Sequence, residues 1–247
     1  MLDWISQHSK VLTVFTSFGT LLIWLVYAQL LYLGFRRQRR PRLIINRGRK
    51  KDIGALCIIS NMSAESIFIE YIIAELKTSE GTITMDVTDF EQEYSEEDDP
   101  RNADDERQRR TLTPGNVGEN TRQGPLDSGG FLHIGTFDGL IERLARDEGI
   151  EMAGHRPKNQ DLQFECLTIR IIGVYGPEDM PVGAERSFDL IDNEHYCALT
   201  PVTWDTQRLA SMRQRRKLRK MVAELNSKNF TSSSSMRRAA SETDSSA

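Results

Sequence analysis

His195 and Cys197 are the residues whose types and spacing come closest to a reactive centre in this chain. Side chains two positions apart on a strand point the same way, so with Cys166 or Cys57 they could assemble imidazole and thiolate ligands for zinc. The spacing does not demand it. There is no CxxC pair, and three widely separated cysteines in a reducing compartment suit small apolar filler better. A membrane-tethered enzyme would draw on His133, His195 and Cys197 with nearby acids. Glu165, Asp189, Asp192 and Glu194 are the carboxylates near credible late strands, and no spacing pairs them for acid–base work. The chain carries no GxSxG nucleophile elbow, no GxxxxGK[ST] phosphate loop and no GxGxxG turn. Serines 232–235 fall in a polar tail where no base is held in place. No cofactor and no metal follows from these patterns, and a catalytic role is not implied.

The second chemistry is cationic. Arg36, Arg37, Arg39, Arg40 and Arg42 put five arginines in seven positions, directly after a run of 24 residues without a charge, Val11 to Gly34. A later block holds Arg213, Arg215, Arg216, Lys217, Arg219 and Lys220. Both sets suit contact with anionic lipid headgroups. Phosphates of nucleic acid offer the same charge, but no zinc finger, KH-type core or aromatic RNA-reading strand accompanies the basic block. Nucleic acid is therefore the disfavoured partner.

The apolar run places these charges. About 20 apolar residues cross a bilayer core, so residues 11–35 are predicted to be one transmembrane helix in the lipid bilayer. A cleaved signal peptide has a shorter apolar region with its charge in front, whereas here the charge follows. Basic residues stay on the cytoplasmic side, which puts residues 1–10 outside and the remainder inside. Along a helix of 3.6 residues per turn, Thr13, Thr16, Ser17, Thr20, Trp24 and Tyr27 share one face. Such a face can join helices across a membrane interface, giving a homo-oligomer or docking on another membrane protein. Alternatively, the hydroxyls bond back to their own helix carbonyls.

The stretch ISNMSAESIFIEYI, behind a single anchor and RRQRRPR, resembles bacterial membrane proteins, which implies an inner-membrane location and carries over no fold or activity.

The rest is predicted to be a mainly-β cytoplasmic domain, sandwich-like and antiparallel, with one or two packed helices, over residues 43–225 behind a basic juxtamembrane segment, 36–54. Leu43 to Ile45, Leu56 to Ile59, Thr82 to Val87, Asp161 to Tyr175, Arg186 to Leu190 and His195 to Leu199 read as strands. Residues 66–76 read as a strand with Ile67, Ile69, Tyr71 and Ile73 on one face and Phe68, Ile72 and Ala74 on the other, with an eleven-residue helix as the alternative. A bend or bulge is expected at Gly173. Phe131 to Ile134 suits an edge strand, and Thr136 caps a helix over 137–146. Residues 90–130, first acidic and then rich in Gly and Pro, form a mobile insertion. Thr203 to Leu225 is predicted to be a helix with an apolar stripe, and 226–247 a disordered tail. The net charge of −4 thus hides alternating basic and acidic blocks. The function these features favour is a membrane-anchored non-catalytic scaffold, accessory subunit or regulator. The alternatives are a tethered enzyme or a sensor of anionic lipid or nucleic acid working through residues 208–220.

Overall fold

A computed structural model of the chain describes residues 9–38, 40–89, 121–159, 161–193, 196–227 and 232–234. Its described residues form mainly antiparallel β-sheets with three helices, and the chain divides into two units, residues 1–40 and 41–247.

Among the described residues, the first unit holds one helix, α1 (Ser9–Gln38). Its Thr13–Phe35 stretch has mean hydropathy 1.7, long and apolar enough to cross a membrane. An N-terminal signal sequence meets the same criterion.

The second unit is built on a large sheet. Its path runs β11 (Tyr196–Pro201), β10 (Val182–Asn193), β9 (Phe164–Tyr175), β3 (Ile67–Thr78), β4 (Thr82–Asp86) and β13 (Ser232–Ser234). Two short strands pair beside that path, β5 (Gly124–Leu126) with β3 and β12 (Gln207–Arg208) with β10. A three-stranded sheet, in order β1 (Leu43–Arg47), β2 (Leu56–Asn61) and β6 (Phe131–Thr136), shares a core with one face of the large sheet. Helix α2 (Phe137–Glu148) closes that core with Phe137, Leu140, Ile141 and Leu144, and Phe137 meets Phe188 edge-on at 4.8 Å between ring centroids. Residues before and after the acidic tract therefore share one apolar cluster, from Leu43 to Leu199.

Thr136 caps α2 by accepting from the Gly139 N–H, and Gly149 ends it in a left-handed conformation. A two-stranded hairpin follows, β7 (Met152–Ala153) and β8 (Arg156–Pro157).

The pairing of β3 with β9 resolves the doubly apolar stretch at 66–76. Register shifts between Ile69 and Tyr71, so Glu70 is an extra residue in β3 opposite the Gly173–Ile172 step of β9. The bulge thus sits on the strand facing Gly173. Because side chains alternate with period two, one inserted residue exchanges the faces beyond it. Ile67 and Ile69, then Ile72, Ala74 and Leu76, face the shared core. Tyr71 and Ile73 face the other way, which corrects the single-face grouping of Ile67, Ile69, Tyr71 and Ile73.

Helix α3 (Met212–Ser227) packs on that opposite face. Leu218 and Leu225, with Leu209 just before the helix, are buried against Ile73 and Ile172, and Met221 and Val222 pack beside them. The helix starts nine residues later than expected from Thr203. Residues 203–211 are instead drawn into β12 and a turn, because the Gln207–Arg208 main chain pairs with Ala184 and Glu185 of β10. Ser211 and Gln214 form a reciprocal cap: the Ser211 N–H donates to the Gln214 side chain, and the Gln214 N–H donates to the Ser211 hydroxyl.

Three further boundaries differ from expectation. β10 begins at Val182 instead of Arg186, since its polar residues are satisfied inside the fold. Arg186, for example, donates to the Ile45, Thr203 and Trp204 carbonyls. Within the insertion expected at 90–130, β5 inserts a buried Leu126 and Arg122 donates to the carbonyls of Val87, Asp89 and Ile134. The predicted insertion at 90–130 is thus shortened from its C-terminal side, and 90–120 lies outside the described residues. Within the tail expected at 226–247, Ser232–Ser234 adds antiparallel to β4, while 228–231 and 235–247 lie outside the described residues.

Candidate functional site

The histidines and cysteines do not gather. His133 is exposed on β6, where it lies opposite Ile58. Cys57 is buried within β2, Cys166 is half-buried on β9, and Cys197 is buried on β11. Burial pushes the Cys197 thiol up to about 11 and the Cys57 thiol still higher, so neither is poised as a thiolate. His195 and Glu194 lie outside the described residues. Among the described residues, no three of His, Cys, Asp and Glu form a group able to hold a metal ion.

Cys197 does line a cleft of about 1020 Å³, between the β7–β8 hairpin and the ends of β10 and β11. Arg156, Lys158 and Asp192 supply its charge, His155 a polar ring, and Ile141, Leu162, Phe164, Leu190 and Ile191 much of its apolar wall. Asp192 is engaged twice: His155 Nε2 lies 3.1 Å from Oδ1, and Arg156 Nε lies 2.9 Å from Oδ1 and 2.7 Å from Oδ2. Arg156 also donates to the Asn193 carbonyl at 2.8 Å. These contacts clasp the hairpin to the end of β10. The sequence reading named Asp192 and missed His155 and Arg156, which lie 37 and 36 positions away and meet it only through the fold.

The basic residues of α3 divide by geometry. Arg213, Arg216, Lys217, Arg219 and Lys220 are exposed. Arg215 is not a surface cation of the same kind: it is largely buried and donates to Glu178 at 2.7 Å. The helix can therefore dock on the sheet through its apolar side and still present a cationic side outward. Its start lies beside the first residues of the domain, because Pro41, Leu43, Val182, Gly183, Arg208, Leu209 and Arg215 border one small gap.

In the N-terminal basic run, Arg36 and Arg37 belong to the last turn of α1, Arg39 lies outside the described residues, and Arg40 is exposed. Arg42 is exposed and meets Asp205 at 3.5 Å.

Thr13, Thr16, Ser17, Thr20, Trp24 and Tyr27 are all exposed on α1. The Thr16 hydroxyl donates to the Thr13 carbonyl at 3.0 Å, and the Thr20 hydroxyl to the Thr16 carbonyl at 2.8 Å. Back-bonding thus satisfies both donors within the helix. Their oxygens retain lone pairs that can accept from a neighbouring helix.

Compared with known proteins, the chain matches no family model, no curated protein and no solved structure.

Proposed function

We propose that this is a single-pass protein of a bacterial inner (plasma) membrane, with its N-terminus outside and a sandwich-like interaction domain in the cytoplasm. Its role is non-catalytic, that of a scaffold, accessory subunit or regulator. The observation that carries this reading is the two-sided construction of α3. Leu218 and Leu225 fix the helix to the sheet, leaving Arg213, Arg216, Lys217, Arg219 and Lys220 turned to solvent. Such a fixed cationic face suits anionic headgroups or an acidic partner held near them.

Three further features support it. The arginine run after the apolar helix favours retention of the following chain on the cytoplasmic side. The hydroxyl face of α1 offers a second contact within the bilayer. The polar side chains of the cleft, Asp192, His155 and Arg156, are committed to one another, an arrangement suited to holding the hairpin.

The test is crosslinking of the full-length protein in its own membrane, followed by affinity purification and mass spectrometry. A reproducible stoichiometric partner, or a self-crosslinked oligomer, is expected. A monomer in mild detergent that brings down nothing reproducible overturns the scaffold role.

A further inference from the structure

Among the described residues of the folded domain, the most exposed large apolar side chain is Trp204, 90 % accessible in the loop between β11 and β12. Its main chain is firmly held. The buried Arg186 donates to the carbonyl oxygens of Trp204 at 3.0 Å and Thr203 at 3.1 Å, and with its other nitrogen to Ile45 at 2.7 Å. Thr206 accepts from the Ile45 N–H at 2.8 Å, and Asp205 pairs with Arg42. One charged group thus ties the tryptophan loop to β1, the first strand of the domain.

The same end carries more apolar surface. The Met62 N–H donates to the Arg42 carbonyl at 2.8 Å, which sets Met62, 55 % exposed, beside that residue. Val202, 53 % exposed, is two residues before Trp204. Exposed cations belong to this end as well, Arg42 along the chain and Arg208 at the gap beside Pro41.

Gln38 ends α1, and Arg42 follows four residues later, about 14 Å at full extension. An indole has an apolar body and one N–H donor, and tryptophan gathers where hydrocarbon meets headgroups. Arginines beside it match anionic lipid.

We propose that Trp204, flanked by Met62 and Val202, is a second membrane contact, seated in the headgroup region of the leaflet at the C-terminal end of α1, with Arg42 and Arg208 meeting anionic headgroups. The contact makes the domain a body docked on the bilayer. It rests on the reading of α1 as a membrane span.

The test uses the full chain in vesicles of phosphatidylcholine and phosphatidylglycerol. The chain has three tryptophans. Trp4→Phe with Trp24→Phe leaves Trp204 as the only indole emitter, and Trp4→Phe with Trp204→Phe leaves Trp24. Lipids brominated near the headgroup end of the acyl chain should quench Trp204 and shift its emission to the blue, lipids brominated near the chain terminus should quench Trp24 at the middle of the span, and aqueous acrylamide should quench Trp204 weakly. Quenching of Trp24 by bromolipid alongside a Trp204 that bromolipid leaves untouched overturns this proposal and keeps the span. That holds whether acrylamide reaches the ring or a protein neighbour shields it. If bromolipid quenches neither tryptophan, the span fails and the docking contact with it.

Discussion

The Phe68 carbonyl oxygen occupies the space where residue 173 would carry a side chain: a Cβ built on Gly173 lies 2.5 Å from it. The contact sits at the Glu70 bulge, where β3 leans onto β9. The obstacle is main chain in the middle of the large sheet, so it cannot rotate away. Gly173→Ala should lower stability by about 1–3 kcal/mol, the usual range for overpacking. Gly176→Ala, with nothing within 4 Å of its Cβ, should stay within about 0.5 kcal/mol of the parent. Chemical denaturation of the two variants checks the pair, and equal losses would rule out the close approach as the cause.

Helix α3 should depend on Leu218. Its Cδ1 reaches to 2.6 Å from a Cβ built on Gly183, so it fills the notch that the glycine leaves on β10. Leu218→Ala should cost about 2–5 kcal/mol. Lys217→Ala, exposed on the other side of the same turn, should cost almost nothing. Thermal unfolding followed by circular dichroism separates them.

The thiols give a pH signature. Burial raises Cys197 from 9.0 to about 11 and raises Cys57 further, so both remain protonated in the folded protein while the unfolded chain ionises first. Their contribution to stability is whole below pH 9 and declines as pH rises toward the folded value, by about 1.4 kcal/mol per pH unit for each group. Denaturant midpoints should fall over that alkaline window, and Cys197→Ala should reduce the fall. In iodoacetamide at pH 8 the half-buried Cys166 should react before either, as read by mass spectrometry of intact peptides.

Asp192→Asn should loosen the hairpin without unfolding the domain. Its partners His155 and Arg156 are partly exposed, and ion pairs of that kind contribute about 0–1 kcal/mol. Hydrogen exchange should accelerate at residues 152–157, with a small change in Tm. Protection that is unchanged there would mean β7–β8 is held by its own pairing.

Legibility from sequence followed the kind of force involved. Strands β1, β2, β4 and β9 and helix α2 have apolar spacing and caps that act locally, so residues such as Ile83, Met85 and Thr136 announce them. The early part of β10 does not, because Gly183, Glu185 and Arg186 are strand residues only where Leu218, Arg170 and the Ile45 carbonyl stand opposite. The start of α3 was readable in the Ser211–Gln214 capping box, but the long cationic stretch drew the helix too far back. The Asp192 clasp and the exposed Trp204 depend on which loops the fold brings together, and local pattern does not encode that. Ser232–Ser234 carries no apolar signal: its pairing supplies backbone bonds to the side of β4.

That pairing also bears on crowding. A sheet margin with bare N–H and C=O groups recruits other chains. The large sheet has company on both flanks, with the serine strand beside β4 and residues 51–53 beside β11, where the Leu199 N–H donates to Lys51 and the Ile53 N–H to Cys197. Colloidal safety at high local concentration is thereby built into the domain's own chain, and deletion of residues 228–247 should show its loss first as aggregation.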